Sequence, residues 1–239
     1  MGSSINNTIP MTRREMLALA ALGAAAGAPQ PAHAAPQGQI TYAVHVSLAP
    51  AWFDPGAAAG MITPYMLLYA LHDALVKAMP DNKQAPSLAE SYSASENGLT
   101  HEFVLRKGAT FHNGDPVTSE DVKFTFERYH GASRSLLKQR VATVETPDER
   151  HARFRLKEPW PDFMTFYAGV TGAAWIVPRK YLTQVGDDGF KKAPIGAGPY
   201  RFVSFTPGVE LVLEAFQGYW RKTPSIKRLV MKVIPVPSA

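Results

Sequence analysis

The sequence predicts a mixed α/β or α+β fold, in which short helices pack against β-sheet. Two hairpin patterns, at 141–157 and 199–216, and an alternating apolar run at 226–234 predict the sheet. Segments at 63–76 and 118–130 carry helix start signals, and the chain has few long helical runs. Hairpins combined with short helices are typical of mixed architectures.

The composition supports a folded core and narrows the classes of function. The 239 residues suit one large or two small domains, and 46% hydrophobic residues are enough for a globular core. The formal charge of +5 is scattered, without a Lys/Arg-rich run, so the sequence predicts no nucleic-acid partner. The absence of cysteine excludes disulfides, thiolate catalysis, cysteine metal ligands and a lipid-anchored cysteine.

Residues 1–34 have the pattern of a secretory signal peptide. The paired Arg13 and Arg14 precede an apolar run at 16–28, and the A-H-A at 32–34 matches a cleavage site. Paired arginines indicate the bacterial twin-arginine route, so we expect export to the periplasm as a soluble protein. The apolar run is too short for a stable membrane anchor, and it lacks the polar face of a soluble amphipathic helix.

The exported part begins with a strand, a loop and a helix. Residues 39–47 are mostly β-branched or apolar and predict the first strand, which is followed by a loop at 48–56. Thr63 and Pro64 predict the start of a helix through Val76, because threonine is a good N-cap and proline suits the first helical turn. The apolar stripe of this helix contains Leu67, Leu68, Leu71 and Leu75.

The central part alternates strands and helices. A short strand is predicted within 100–108, where apolar and polar residues alternate. Thr118 and Asp121 form an aspartate version of the capping box, which predicts a helix over 119–130. The hairpin at 141–157 turns at T-P-D-E.

The last third contains a further helix start, a link and two sheet segments. Residues 176–182 predict a strand that ends at a helix start, and 186–198 predict a glycine-rich link. The hairpin at 199–216 uses Gly208 for its turn, and a last strand is predicted at 226–234.

Two short motifs resemble functional signatures but have simpler interpretations. The G-x-G at 196–198 is followed by strand-like residues, whereas a dinucleotide site needs a helix N-terminus there. The S-x-x-K at 135–138 matches serine acyl enzymes, but no S-D-N or K-T-G accompanies it. An exposed helix end is therefore the favoured interpretation of 135–138.

The histidines do not form a metal or catalytic motif. None is spaced as H-E-x-x-H or H-x-H, so surface or strand-edge positions are favoured, with a site assembled from distant residues as the alternative. No G-x-S-x-G motif occurs. The sequence thus predicts no catalytic residue, no metal and no cofactor. The histidines are His33, His45, His72, His101, His112, His130 and His151.

Two aromatic residues mark the loop after the first strand. Trp52 and Phe53 are flanked by Pro50, Asp54 and Pro55. Loops at strand ends carry ligands in open α/β sheets, so these aromatics are candidates to line a pocket. Equally, they are candidates to seal the core beneath the loop.

Three stretches of the chain, taken in order, resemble one protein family. They are "FDPG…LLYALHDALVKAMPDNKQAPSLAESYSAS", "LTHEFVLRKGATFHNGDPVTSEDVKFTFER" and "IGAGPYRFVSFTPGVELVLEAFQGYW". Their combination resembles the extracellular solute-binding proteins of family 5, the dipeptide, oligopeptide and nickel type of ABC importers. The resemblance covers residues 40–236.

The resemblance implies a periplasmic-binding-protein-like type II fold, a clamp whose two lobes close on a ligand. The first lobe would have a main part at 35–75 and 190–239 and an inserted subdomain at 76–189. A typical member is much longer, and its second lobe follows a segment like the end of this chain. We therefore expect the second lobe to be missing here.

The resemblance also implies the position of one wall of the ligand site. The wall would be the loop after the first strand and the segment before the helix at 63–76, with Ser47, Trp52, Gly60 and Met61 as candidates. An aromatic wall favours an apolar or aromatic solute. The implied function is non-enzymatic: a periplasmic monomer captures a peptide or similar small solute for the permease subunits of an ABC importer.

Two other interpretations stay open. One is a truncated remnant that folds in part but does not bind, because one lobe offers one wall where a clamp buries about 70–90% of a small ligand. Such a lobe would also expose strand edges and apolar surface. The other is a secreted hydrolase that reuses the scaffold, against which the missing nucleophile motifs count.

Overall fold

The computed structural model describes residues 35–58, 60, 62–169 and 172–234. The predicted signal peptide at 1–34 lies outside these residues. The described chain forms a mixed α/β fold with separate β-sheets, which confirms the predicted fold class. In this part of the chain, no helix has the length and apolar character needed to cross a membrane.

The main sheet joins the first strand to the last three. Its strands, in the order β1-β10-β9-β8, are β1 (Gln37–Val44), β8 (Tyr200–Thr206), β9 (Glu210–Ala215) and β10 (Ile226–Val233). β1 runs parallel to β10, whereas the other pairs are antiparallel. Gly208 turns the β8–β9 hairpin at a φ of 71°, as predicted, because glycine adopts positive φ without a steric penalty.

A second sheet is antiparallel throughout and has the order β4-β5-β7-β6. Its strands are β4 (Ala89–Ala94), β5 (Thr100–Leu105), β6 (Val141–Glu145) and β7 (His151–Leu156). Alternate residues of β5 and β7 are buried, which confirms the period-2 prediction for both. A hairpin of β2 (Val76–Met79) and β3 (Asn82–Pro86) precedes this sheet. The sequence patterns did not predict β2, β3 or β4 as strands.

The helix predicted at 63–76 is shorter than expected. A π-helical segment at Pro64–Leu68 continues as an α-helical turn at Tyr69–Leu71, and together they form α1. The prediction of Thr63 as N-cap is wrong, because Thr63 itself has helical backbone angles. Its side chain makes no capping hydrogen bond to the described residues.

A distant segment determines where α1 ends. The amide of Gly198 donates a hydrogen bond to the carbonyl oxygen of Leu71, at 3.1 Å. A Cβ atom on Gly196 would lie 2.0 Å from the same oxygen, so this close approach requires glycine. The G-x-G at 196–198 therefore packs against the end of a helix.

α1 lies between two apolar clusters. Leu67 and Leu71 are fully buried in a cluster with residues of the main sheet. Leu68 is fully buried in the cluster that also contains Phe103 and Phe154 of the second sheet. The predicted stripe is therefore buried, but its leucines face two different cores.

The remaining helices confirm the starts predicted at Thr118 and within 176–182. They are α2 (Ser119–Arg128), α3 (Arg134–Arg140), α4 (Phe163–Tyr167) and α5 (Arg179–Lys192). At the start of α2 the Asp121 carboxylate accepts a hydrogen bond from the Thr118 amide at 2.9 Å, as the capping box predicts. The S-x-x-K at 135–138 lies on α3, with Ser135 exposed.

Two predictions near α5 are wrong. The link predicted at 186–198 is helical as far as Lys192, with Gly186 at a φ of 68° marking a kink inside α5. A second helical segment follows the kink, and glycine permits the positive φ that joins the two segments. The strand predicted at the start of 176–182 does not form, and an isolated bridge pairs Trp175 with Ala74 instead.

A buried carboxylate joins distant parts of the chain. Asp73 accepts hydrogen bonds from the Ser87 hydroxyl at 2.5 Å, the Tyr219 hydroxyl at 2.9 Å and the Trp220 indole at 2.9 Å. The Lys77 ammonium lies 2.8 Å from the same carboxylate and is itself 5% exposed. We call these five residues the Asp73 cluster. It connects α1, the β2–β3 hairpin and the segment between β9 and β10.

Two buried histidines flank the segment that ends α1. His72 donates its Nε2–H to the carbonyl oxygen of Phe53 at 2.8 Å. His112 donates from Nε2 to the carbonyl oxygen of Gly198 at 3.0 Å, and its Nδ1 accepts from the Gly196 amide at 3.2 Å. Burial lowers the pKa of both histidines to about 4. Both side chains are therefore neutral at pH 7.

We expect the protein to lose stability as the pH falls from about 6.5 to about 4. An unfolded histidine has a pKa of 6.5, so the unfolded chain binds protons in this range that the buried side chains do not bind. His72 and His112 should each lower the free energy of unfolding by about 3 kcal/mol across the range. That contribution is fully present above pH 6.5. Urea unfolding at about pH 7.5 and about pH 4.5 measures the loss.

Variants separate this effect from general acid denaturation. His72→Gln removes one of the two titrations and should show a smaller loss between the two pH values. His45→Gln changes an exposed histidine and should keep the full loss. An identical pH dependence in the wild type and His72→Gln would contradict the assignment.

Candidate functional site

The ends of two parallel strands meet at one edge of the main sheet. Val44 at the end of β1 pairs with Val233 at the end of β10, and the Ile234 amide donates to the Val44 carbonyl oxygen at 2.9 Å. Segments that follow parallel strands lie at the carboxyl edge, where open α/β sheets commonly bind ligands. We call residues 45–62, which follow β1, the candidate loop.

The candidate loop is folded around a buried aromatic residue. It contains 3-10 turns at Pro50–Phe53 and Pro55–Ala57. Phe53 is fully buried and makes edge-to-face contacts with Phe202 at 5.7 Å and Phe205 at 5.2 Å between ring centroids. Of the two roles considered for Phe53, sealing the core is therefore the correct one.

An ion pair fixes the loop to α2. The Asp54 carboxylate accepts two hydrogen bonds from the Arg128 guanidinium, both at 2.8 Å, and one from the Gly56 amide at 2.8 Å. A Cβ atom on Gly56 would lie 2.7 Å from the Arg128 guanidinium, so glycine makes room for the pair. The His130 amide donates to the Gly56 carbonyl oxygen, and Arg128 also contacts Asp187 of α5 at 2.8 Å. Arg128 and His130, which lie far from the loop along the chain, therefore hold it in place.

The Asp54–Arg128 pair is structural. Burial would raise the pKa of the Asp54 carboxyl group, but the hydrogen bonds and charge of Arg128 outweigh burial and hold that pKa below its ordinary value. The amide of Gly56 acts in the same direction. Asp54 is therefore ionised at neutral pH, and its oxygens are occupied by partners within the protein.

The predicted site residues differ in their accessibility. Ser47 is exposed close to the end of β1. Trp52 is half-buried and packs against the apolar cluster of the main sheet. Gly60 is exposed, with open space around an added Cβ, and Met61 lies outside the described residues. The assignment of these residues to a ligand site stays a prediction.

Two further accessible residues lie at the end of the candidate loop and just beyond it. Ile62 is 55% exposed and Tyr65 is 57% exposed. The Tyr65 ring stacks on Tyr69 of α1, with centroids 5.6 Å apart. Tyr65 and Tyr69 are spaced i, i+4 on a predicted helix, and this spacing brings side chains together, so the stacking could have been predicted from the sequence.

The candidate loop offers apolar and hydrogen-bonding surface that a small molecule could contact. Its accessible groups include the Ser47 hydroxyl and part of the Trp52 indole, and the apolar surfaces of Ile62 and Tyr65 extend them. Among the described residues, no three His, Asp or Glu side chains are grouped to hold a metal ion. Aromatic and apolar surfaces with a few polar groups are typical of small-molecule sites.

Comparisons with known proteins identify the family of the chain. The profile described as bacterial extracellular solute-binding proteins, family 5 Middle, matches residues 83–239. The di/tripeptide-binding protein 2 of Pseudomonas aeruginosa is 30% identical over 220 residues, which is 81% of this chain. The glutathione-binding protein GsiB of Pectobacterium atrosepticum is 33% identical over 146 residues, or 59% of this chain. The chain spans 41% and 28% of the lengths of these two relatives.

Solved structures show the same fold. The binding protein AgaA of A. tumefaciens R10, in complex with agropinic acid, superposes with a TM-score of 0.73 at 30% identity, covering 82% of this chain and 40% of AgaA. A dipeptide binding protein of Pseudoalteromonas sp. SM9913, in complex with Met-Leu, superposes with a TM-score of 0.73, covering 83% of this chain and 44% of that protein. Its identity of 20% supports the fold alone.

The sequence resemblance, the family profile and the superpositions agree. The profile covers more than half of the chain, and a relative with 30% identity aligns over 81% of it. These findings confirm the resemblance inferred from the three stretches quoted above. The chain belongs to the bacterial extracellular solute-binding proteins of family 5.

Proposed function

We propose that this chain supplies one wall of the ligand site in the binding protein of an ABC importer. The solute would be a peptide or a similar small molecule, as in the relatives named for di/tripeptides and glutathione. The observation that carries the proposal is the candidate loop, which presents Ser47 and Trp52 at the carboxyl edge of parallel β1 and β10.

The transport context is part of the proposal. The signal-peptide pattern at 1–34 and the extracellular family support a periplasmic monomer that delivers solute to membrane permease subunits. We further propose a main part at 35–75 and 190–239 with an insert at 76–189. The strands of the main sheet fall in the first two ranges, and β4, β5, β6 and β7 fall in the third.

A second wall facing the candidate loop also belongs to the proposal. The di/tripeptide-binding protein 2 and AgaA are each more than twice as long as their matched part, and clamp proteins enclose their ligand between two lobes. We therefore expect a polypeptide of these 239 residues to bind solute weakly. The competing outcome is a chain that folds but does not bind.

Thermal melting in the presence of Met-Leu or glutathione tests the proposal. Solute at about ten times its Kd should raise the melting temperature by roughly 3–5 °C for a domain of this size. Trp52→Ala should abolish the rise, whereas Val209→Ala, at an exposed turn position, should retain it. A rise that survives Trp52→Ala would place the solute away from the candidate loop. The absence of any rise would favour the non-binding alternative.

A further inference from the structure

A basic groove lies away from the candidate loop. It has a volume of about 450 Å³ and is lined by Glu90, Arg106, Lys107, Arg150 and Trp220. The guanidinium of Arg221 lies beside it, 4.9 Å from the centre of the Trp220 ring. Among the described residues, four cationic side chains and one carboxylate, that of Glu90, therefore lie at this groove. We call these six residues the basic groove.

Trp220 serves as a fixed platform for two guanidinium groups. Its indole nitrogen donates to the buried Asp73, which holds the ring in place. The Arg106 guanidinium lies 4.4 Å from the centre of the ring, and Arg221 approaches it at 4.9 Å. Cation–π stacking orients a guanidinium, and the N–H groups that do not bond to the protein stay available for a ligand. Arg221 also donates from Nη2 to the Pro86 carbonyl oxygen at 3.2 Å.

The backbone fixes the arginines further. Arg106 donates from Nε to the Ser87 carbonyl oxygen at 2.6 Å, and Arg150 donates from Nε to the Leu105 carbonyl oxygen at 2.9 Å. Arg150 is also paired with Glu90 at 2.5 Å. Lys107 is exposed and forms no ion pair with the described residues. The groove therefore retains a net positive charge in a largely preorganised arrangement.

We propose that the basic groove binds an acidic segment of a partner protein, with two or more neighbouring carboxylates. Guanidinium forks match carboxylates in two-pronged geometry, and their preorganisation lowers the entropic cost of binding. An anionic bilayer is a poorer fit. Membrane surfaces attract flexible basic segments and inserted apolar side chains, whereas here the arginines are fixed and the Trp220 ring is covered by cations.

The test uses fluorescence anisotropy with a labelled peptide, Ac-Gly-Glu-Glu-Glu-Glu-Gly-NH2, and the 239-residue chain at low salt. The matched probe has glutamine at each glutamate position. We expect binding of the glutamate peptide alone, weakened by added salt because exposed charges are screened. Lys107→Gln and Arg221→Gln should each weaken binding by roughly fivefold. Arg221→Lys should weaken it less, because the charge is retained.

Controls make the result decisive. Lys192→Gln alters an exposed lysine outside the groove and should leave peptide affinity unchanged. The chosen positions are exposed, so unchanged melting temperatures should accompany the losses. Equal weakening by Lys192→Gln would overturn the proposal in favour of diffuse charge attraction. The absence of peptide binding would also overturn the proposal. Binding of phosphatidylglycerol vesicles without binding of the peptide would overturn it in favour of a membrane surface.

Discussion

Replacing Asp73 by alanine is expected to lower the free energy of unfolding by about 3–5 kcal/mol. Asp73 is fully buried, and its removal would leave the Lys77 ammonium buried without its counter-charge. The Tyr219 hydroxyl and the Trp220 indole would also lose their acceptor. Each of these groups loses contact with water on folding, and its bond to the Asp73 carboxylate offsets that cost. Urea unfolding followed by tryptophan fluorescence measures the change.

Two further variants serve as comparisons for Asp73→Ala. Asp73→Asn keeps an acceptor of the same shape but removes the charge, so we expect a loss smaller than that of Asp73→Ala. Asp188→Ala removes an aspartate whose side chain is 92% exposed and should change stability by less than about 0.5 kcal/mol. A loss for Asp73→Ala as small as that for Asp188→Ala would show that the cluster contributes little.

Replacing Arg128 by alanine is expected to lower the free energy of unfolding by about 2–4 kcal/mol. The variant leaves the Asp54 carboxylate, 3% exposed, without its paired guanidinium. Arg128 itself keeps 12% of its side chain accessible, which places the loss toward the lower end for a buried ion pair. The turn at Pro55–Ala57 should loosen with it, because the Gly56 amide bonds to the same carboxylate.

Hydrogen exchange distinguishes loosening of the loop from general loss of stability. In Arg128→Ala the Gly56 amide should exchange faster relative to amides of β5 in the second sheet. Arg128→Lys should show an intermediate loss of stability, since lysine keeps the charge but not the two-pronged hydrogen bonds. Arg134→Ala, at the exposed start of α3, is the matched control. Uniform acceleration at all amides would contradict a local anchoring role.

The family and much of the secondary structure were predictable because both depend on short stretches of sequence. The alternation of β5 and β7, the glycine turn of β8–β9 and the capping box at Thr118 each involve residues within a few positions of one another. The candidate loop was predictable from the same kind of information. A strand followed by a proline-flanked loop indicates a strand-end position, whatever the rest of the chain does.

The errors lie where distant segments compete with local preference. Thr63 and Pro64 are good start signals, but α1 ends at Leu71, where Gly198 takes the Leu71 carbonyl and the His72 side chain bonds to Phe53. Residue patterns cannot show a partner such as Gly198, which lies more than a hundred positions from Leu71 along the chain.

The sequence alone determined the family, the mixed fold class, the hairpins and the position of the candidate loop, because these follow from periodicity and short motifs. Only the tertiary structure decided that β1 pairs with β10, that Phe53 is sealed inside, and that Asp54 and Asp73 are held by Arg128 and Lys77. A buried charge needs its counter-charge within a few ångströms in space. Folding brings Arg128 to Asp54 across 74 positions of the chain, a separation that no local pattern reveals, whereas Lys77 follows Asp73 at the i, i+4 spacing.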